Sequence, residues 1–472
     1  MRPGEAAAWA PASGTTPRWP ALFPAPQPVP EPAPGPVAHG TRPRQGGVLL
    51  YDVRWPLTDQ EAARPYGGGG YGGEAYGEPE PRLQGDGLGE HFADLGVRPS
   101  ALGWAAGEAL LAAVDAAGLS GHGGAHVPVA VKWRAARQAH SPLTVVANGA
   151  ESEPLSVKDA TLLRQRPHLV LDGLALAAEA LDAGRVVVWL HGADGVTRRV
   201  VQAAVAERRA AGEPGPLVEV VSGPSHYLAG ESSAIAAGLD GRPALPTVRR
   251  SAAQGAPRTL VHNVETLARL ALVARGLPSM DTVLVTVVGP GGRHVSEVDR
   301  GSSLVDVLHR GGWPRGESPA GVLLGGFGGT WAAWPDLQRA TVDEHALRAV
   351  GLSLGAGILA PLPAGVCPVA ETAAIAAYLA SMSARQCGPC LFGLPAVASS
   401  VRRLADSSAP RGERRRLVAD LRTIAGRGAC HHPDGVVRLV GSLLTVFPEH
   451  VEQHARGRRC SGVRVLPVPE TP

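Results

Sequence analysis

The chain has 472 residues, of which 44% are hydrophobic and 18% charged, and its formal net charge is +3. That length exceeds one ordinary core and, at roughly 150 residues per domain, implies two to four domains. So small a net charge excludes a strong overall pull toward nucleic acid or a membrane surface. No run reaches the ~18 apolar residues of a membrane span, and the N-terminus lacks a secretory layout, so a cytoplasmic setting is expected. Five cysteines without a regular framework argue against a disulfide-stapled fold and for reduced thiols or metal ligands.

Twelve of the 43 prolines fall before residue 45, including an alternating run from Pro24 to Pro36 that can hold neither a helix nor a sheet ladder. With the glycine-rich stretch Pro65–Gly73, residues 1–85 read as a disordered Pro/Gly-rich arm. Residues 86–277 read as an α/β domain. A helix near Ala105–Ala117 feeds a glycine loop, the strand Leu143–Ala147 delivers an acidic cluster, and helix Leu169–Leu181, strand Arg185–Leu190 and helix Val196–Ala210 follow. Ligands in such sheets bind beyond the carboxyl ends of the strands.

Near Met280 the pattern changes to the strand Val283–Val288, the turn Gly289-Pro-Gly-Gly292, a second strand His294–Val298 and a helix opened by Ser302 or Ser303. This predicts a β-grasp-like module over 278–345. Helices near Ala370–Met382, Leu394–Ala405, Glu413–Ile424 and Val436–Phe447 predict a small bundle over 346–460, followed by a tail.

Of 45 basic Lys and Arg residues only two are lysines, Lys132 and Lys158, and each lies in a motif. The first runs Gly121-His-Gly-Gly-Ala-His-Val-Pro-Val-Ala-Val-Lys-Trp133, in which Gly121, Gly123 and Gly124 let backbone N–H groups approach an anion. The second runs Asn148-Gly-Ala-Glu-Ser-Glu-Pro-Leu-Ser-Val-Lys-Asp159, whose Glu151 and Glu153 suit ribose hydroxyls or ring nitrogens. A compact ammonium fits beside a phosphate where a guanidinium fork would clash, so the pair points to a phosphate-bearing cofactor. Two further clusters are Tyr227-Leu-Ala-Gly230-Glu231 and His262-Asn263-Val264-Glu265-Thr266. Alone, each of these two reads as a helix cap.

In this order the motifs resemble those of the FMN- and NADH-binding 51 kDa (F) subunit of respiratory NADH:quinone oxidoreductase, over about residues 90 to 455. That family's glycine loop, Gly-Arg-Gly-Gly-Ala-Gly-Phe-Pro-Thr-Gly-x-Lys-Trp, is matched at Gly121, Gly123, Gly124, Ala125, Pro128, Lys132 and Trp133. Its acidic motif is matched at Asn148, Glu151, Glu153, Pro154, Lys158 and Asp159. The resemblance implies a Rossmann-like flavin domain, a β-grasp domain of the soluble-ligand-binding (SLBB) type and an iron-sulfur helical bundle. It also implies FMN against Lys132, Asn148, Glu151, Tyr227, Gly230, Glu231 and Asn263, with Glu153 nearest a nicotinamide donor. The departures are His126-Val127 for Gly-Phe, Ala150 for Asp, Ser232 for Glu and His262 for Asn. Losing the aromatic face expected to stack on NADH costs on the order of 1 kcal/mol beyond area burial.

The family's cluster motif, Ser-Cys-Gly-x-Cys-x-Pro-Cys with a later cysteine, is kept at Cys387, Cys390 and Cys430, while Ala384 stands where the first ligand belongs. A [4Fe-4S] cubane with three thiolates leaves one iron to Ser383, His431, His432, water or another thiol, and a [3Fe-4S] cluster is the other form. A zinc site with His431 or His432, a thioredoxin-type dithiol and a vestigial thiol set are the alternatives. Cys367 and Cys460 read as ordinary thiols.

The resulting expectation is a flavin-dependent, NADH dehydrogenase-like electron-transfer protein. It would act with a ferredoxin-like or other redox partner or within an NADH dehydrogenase-type complex. The rivals are a non-catalytic scaffold and a protein like the C component of the ion-pumping oxidoreductase, whose tandem cysteine runs are absent here.

Overall fold

The computed structural model describes residues 53–55 (backbone only), 87–123, 126–138, 142–247, 258–460 and 462–470. The rest of the expected arm, the glycine-rich stretch 65–73, and Gly124 and Ala125 of the glycine loop lie outside the described residues.

The first described element is a strand, β1 (Val53–Trp55). Helices α1 (Leu88–Leu95), α2 (Trp104–Ala116) and α3 (Val129–Ala136) lead to strand β2 (Thr144–Gly149). Helices α4 (Lys158–Gln165) and α5 (Pro167–Ala180), β3 (Arg185–Leu190), α6 (Gly195–Ala210) and β4 (Val218–Ser222) follow. Then come α7 (Ser232–Leu239), β5 (Thr259–Asn263) and α8 (Val264–Ala274). The four strands β2 to β5 form an all-parallel sheet in the order β4-β3-β2-β5. Val-rich runs such as Val186–Val188 are buried, as expected of parallel strands covered on both faces.

Helix α5 is buried at all but one of its 14 residues, because it lies against α8. Gly173 permits that approach: a Cβ there would sit 1.8 Å from the Leu267 carbonyl oxygen. Asp172 on the same helix is fully buried and holds His91 (2.9 Å), Arg208 (2.7 Å) and Arg275 (2.5 Å), tying α1, α6 and the end of α8 together.

The hairpin β6 (Thr282–Gly289) and β7 (Gly292–Asp299), then α9 (Leu304–Arg310), agree with the expected order. They join β8 (Gly321–Leu324), β9 (Thr330–Ala332) and β10 (Ile358–Leu362) in a second sheet ordered β1-β7-β6-β10-β8-β9, with short helices α10 (Trp334–Leu337) and α11 (Glu344–Ala349) between them. Two boundaries therefore change. Val53–Trp55, expected within the disordered arm, adds antiparallel to the edge of β7, and β10, expected beyond the module, lies parallel to β6 in its interior. Both are short runs whose strand partners are distant in sequence, and Ala360 and Pro361 weaken the local β signal of the second, so local patterning did not assign them.

The chain then becomes helical: α12 (Pro368–Ser381), a π-turn at Pro389–Gly393, α13 (Leu394–Ala405), α14 (Glu413–Ile424), α15 (His432–Val446) and α16 (Pro448–Ala455). Helix α16, absent from the sequence expectation, starts at the Pro448 that ends α15. The tail residues Val465, Leu466 and Val468 are buried, and the Val465 and Leu466 N–H groups donate to Glu371 of α12.

Candidate functional site

Asn148 and Asn263 end adjacent parallel strands and face each other in register. Asn148 Nδ2 donates to the Gly230 carbonyl at 2.8 Å, and its Oδ1 accepts from Ala150 N at 3.1 Å. Ser152 Oγ donates to the Tyr227 carbonyl at 2.6 Å, so the loop before α7 docks on the acidic loop after β2. A Cβ on Gly230 would come within 2.6 Å of the Ala150 oxygen, a close approach that requires glycine there. Glu231 caps α7, accepting from Ser233 N at 2.8 Å and Ala234 N at 3.0 Å. Asn263 caps α8 through Glu265 N at 2.9 Å while its Nδ2 donates to Asp159 at 2.5 Å.

Glu151 accepts from Asp159 N (3.1 Å), Ala160 N (3.2 Å) and Ser156 Oγ at the start of α4. Glu153 accepts from Tyr227 Oη at 2.9 Å and Phe327 N at 3.0 Å, which joins the acidic loop to the segment after β8. Burial pushes both carboxyls up to about 7; a negative Asp159 adds to the rise at Glu151, and hydrogen bonds from Tyr227 and Phe327 restrain it at Glu153.

The two lysines part company. Lys158 is buried, with Nζ 2.7 Å from Asp159 and 3.0 Å from Glu265. Burial disfavours its charge, but Asp159, Glu265 and Glu151 outweigh that and raise its pKa, so it neutralises protein carboxylates and is not held in reserve for a phosphate. Lys132, on α3, makes a single long contact of 3.5 Å to the Val261 carbonyl, and burial lowers its pKa. Next to it the fully buried Trp133 donates to His262 Nε2 at 3.0 Å. Burial pushes His262 down to about 3, and this neutral acceptor accounts for histidine where the family motif carries asparagine.

The glycine loop closes through Gly121 N donating to Val127 O at 3.0 Å, and a Cβ on Gly123 would meet Asn263 at 3.6 Å. His126 occupies a left-handed conformation, φ 48°, where the family motif has glycine. A non-glycine residue there costs of order 1 kcal/mol or more. Beyond the Lys158–Glu265 pair opens a cavity of about 250 Å³ bordered by His122, His126, Arg300, Glu344 and Arg348. Lys132, Asn148, Glu151, Glu153, Tyr227, Gly230, Glu231 and Asn263 do not border it. They gather around the ends of β2 and β5.

In the helical region, Cys387 and Cys390 flank the start of the π-turn, and Leu391 N donates back to the Cys387 carbonyl. Burial, then the adjacent Cys387 and Cys430, push the Cys390 thiol up to about 12, so the three cysteines named from the sequence do come together. Of the expected substitutes for the fourth ligand, His432 is buried with Nε2 on the Leu379 carbonyl at 2.8 Å, and His431 is exposed beside Asp434. Ser383 is buried and its Oγ has no hydrogen-bond partner. A three-cysteine set with an orphaned hydroxyl one residue before Ala384 fits a cluster, since the hydroxyl oxygen is an available donor.

The two sites adjoin through the rings of Tyr227 and His432, both named from the sequence in other roles, and of Tyr378, which sequence reading missed. Tyr227, bonded to Glu153, packs on Tyr378 (5.9 Å between centroids) and His432 (5.6 Å), and His432 lies two residues after Cys430.

Two family models match the chain: the Nuo51 FMN-binding domain over residues 114–272 and the NADH-ubiquinone oxidoreductase-F iron-sulfur binding region over residues 370–454. Fold, site and matches together define a flavin-dependent, NADH-type electron-transfer protein. The second of the NADH-quinone oxidoreductase F subunits of Rhizobium meliloti (strain 1021) is 27% identical over 390 residues, 76% of this chain and 92% of that protein. The corresponding F subunit in Streptomyces coelicolor (strain ATCC BAA-471 / A3(2) / M145) is 28% identical over 382 residues, 74% and 84% of the two chains. A solved NAD⁺-reducing [NiFe]-hydrogenase in its H₂-reduced state superposes with a TM-score of 0.65 at 27% identity, covering 74% of this chain and 62% of that one. The chain therefore spans under two thirds of its hydrogenase counterpart. It belongs to the family of 51 kDa (F) subunits of NADH oxidoreductases, as a divergent member.

Proposed function

We propose that this chain oxidises a reduced nicotinamide nucleotide through FMN held at the ends of β2 and β5 and passes the electrons to an iron-sulfur centre. Cys387, Cys390 and Cys430 would bind that centre. The observation that carries this reading is the adjacency of the two sites: Glu153, Tyr227 and His432 form a packed run from the acidic loop to the segment that holds Cys430. FMN, when bound, takes two electrons as a hydride and releases them one at a time, which a cluster can accept.

This chain's own residues would position that chemistry. Lys132 has donors to spare for a flavin phosphate or a negative ring edge. Gly123 would offer its backbone N–H group, while the Gly121 N–H closes the loop on Val127 and Asn148 and Gly230 fix the spacing of the acidic and Tyr227 loops. Glu151 and Glu153, raised to about 7, would change charge in the working range. Tyr227, Glu231 and Asn263 hold the loops and helix caps at the strand ends. At the cluster, Ser383 would supply the contact that Ala384 cannot.

The same reading divides the chain into a Rossmann-like flavin domain over about 86–277, an SLBB-type β-grasp domain from 278 extended to include β10, and an iron-sulfur helical bundle. Its partners would be other subunits of an NADH dehydrogenase- or hydrogenase-type assembly, or a ferredoxin-like protein, at a peripheral, cytoplasmic position. Among the described residues no helix is long and apolar enough to cross a membrane. Reconstitution with FMN, iron and sulfide tests the reading: the expected product retains flavin and about four irons per chain. Protein that stays colourless would favour the scaffold alternative.

A further inference from the structure

Cys367 and Cys460, which no motif in the sequence connects, meet in space. Cys367 opens α12, His450 and His454 lie one turn apart on α16, and Cys460 follows that helix. The four ligand atoms all lie within 4.8 Å of one another. His454 Nε2 stands 3.4 Å from the Cys367 sulfur and 3.2 Å from the Cys460 sulfur, and the two imidazoles stack with centroids 5.2 Å apart. Zinc bonds of ~2.3 Å to sulfur and ~2.0–2.1 Å to nitrogen put neighbouring ligand atoms of a tetrahedral site roughly 3.3–3.8 Å apart.

The surroundings suit a metal better than a thiol–imidazole cluster. His454 Nδ1 lies 3.0 Å from the Leu404 carbonyl, which can only accept, so Nδ1 carries the proton and the Nε2 lone pair points between two sulfurs. One lone pair accepts from only one thiol, while the two sulfurs also approach each other. His450 Nε2 is buried without a hydrogen-bond partner. Each sulfur accepts a backbone N–H, Cys367 from Ala370 at 3.3 Å and Cys460 from Gly462 at 3.4 Å, which holds both sulfurs in place. A dication bound by two thiolates and two imidazoles satisfies all four groups, with both thiol protons released to solvent.

We infer that Cys367, His450, His454 and Cys460 form a structural zinc site, distinct from the iron-sulfur cysteines. Helix α12 separates the two: its 14 residues span about 20 Å, with Cys367 at its start and Cys387 beyond its end. The zinc pins α16 and the tail to the first turn of α12, where Cys367 N also donates to the Val463 carbonyl at 3.1 Å.

The experiment is zinc content, by plasma mass spectrometry, of full-length protein purified under reducing conditions from zinc-supplemented cells. A Cys387→Ser/Cys390→Ser/Cys430→Ser variant excludes zinc held at the cluster cysteines and should keep about one zinc per chain. His450→Gln and Cys460→Ser, at the half-buried positions, should each lose it. A folded triple variant without zinc would overturn the assignment, as would zinc retained in both single variants or a Cys367–Cys460 disulfide in anaerobically prepared protein. X-ray absorption at the zinc edge of the wild-type chain is a second check independent of folding of the variants: two sulfur and two nitrogen ligands are expected, and a shell of three or four sulfurs contradicts the site.

Discussion

The parallel-sheet region and the C-terminal helices handle their polar groups in opposite ways. Around the sheet, buried charges are paired within the protein: Lys158 sits between Asp159 and Glu265, and Asp172 among His91, Arg208 and Arg275. Its orphaned ring nitrogens, His122 Nδ1 and His126 Nε2, both belong to residues that border the cavity. Among the described residues of the helical region the orphaned hydroxyl and imidazole atoms are Ser383 Oγ and His450 Nε2, both of metal-ligand type; His450 lies beside Cys367 and Cys460, and Ser383 is four residues before Cys387 in the sequence. A region whose charges are already paired keeps its shape whether or not a cofactor binds. One whose ligand atoms lack partners has its stability linked to what fills it.

Breaking the pairing in the first region should give the largest effect. Asp172→Asn leaves three cationic or imidazole partners around a neutral amide and should cost about 3–5 kcal/mol in denaturant unfolding. The linkage has a definite sign. Burial alone would raise the Asp172 pKa, but His91, Arg208 and Arg275 pull it from 3.8 to about 2, so its stabilisation is present above pH 3.8 and is lost as pH falls toward 2. Acid unfolding of Asp172→Asn should lack that component.

Lys132→Ala comes next. Loss of a charged donor should weaken FMN binding roughly ten- to a hundredfold with little change in thermal stability, since the Lys132 ammonium makes one long contact among the described residues. Flavin retention equal to wild type on a desalting column would remove Lys132 from the site. On the helical side, Ser383→Ala should speed cluster loss to a chelator about tenfold, whereas Ala384→Cys should slow it below the wild-type rate. Equal rates for all three proteins would mean that neither position contacts the cluster.

The smallest effect concerns the exception within the first region. Glu153 and Glu151 have folded pKa values of about 7 against 4.5 for the ordinary carboxyl, so the stabilisation of their protonated forms is complete below pH 4.5 and lost as pH rises through 7. Flavin-free protein should therefore melt at a lower temperature at pH 8 than at pH 5.5. Glu153→Gln should flatten part of that slope, and an unchanged slope would show that Glu153 does not titrate there.

Much of this was legible in the sequence where the chemistry is local. The Val-rich strands, the helices after them, the loops at Asn148 and Gly230 and the Cys387–Cys390 pair each lie within a dozen residues, so period and spacing expose them. What escaped depends on distant partners. The ion pair from Lys158 to Glu265 joins residues 107 apart, and Cys367 meets His454 across 87. Neither Val53–Trp55 nor Ile358–Leu362 reads as a strand until β7 and β6 pair with them. The lysine argument failed at Lys158 for the same reason, because composition shows a retained cation but not which carboxylates it neutralises.

The most direct test of the electron-transfer account is an anaerobic titration of reconstituted protein with NADH, following flavin absorbance and the electron paramagnetic resonance signal of the cluster together. The account predicts bleaching of the flavin bands, followed by a reduced-cluster signal that disappears in Cys390→Ser while bleaching remains. Flavin that stays oxidised with excess NADH, or a cluster signal unchanged in Cys390→Ser, would contradict it.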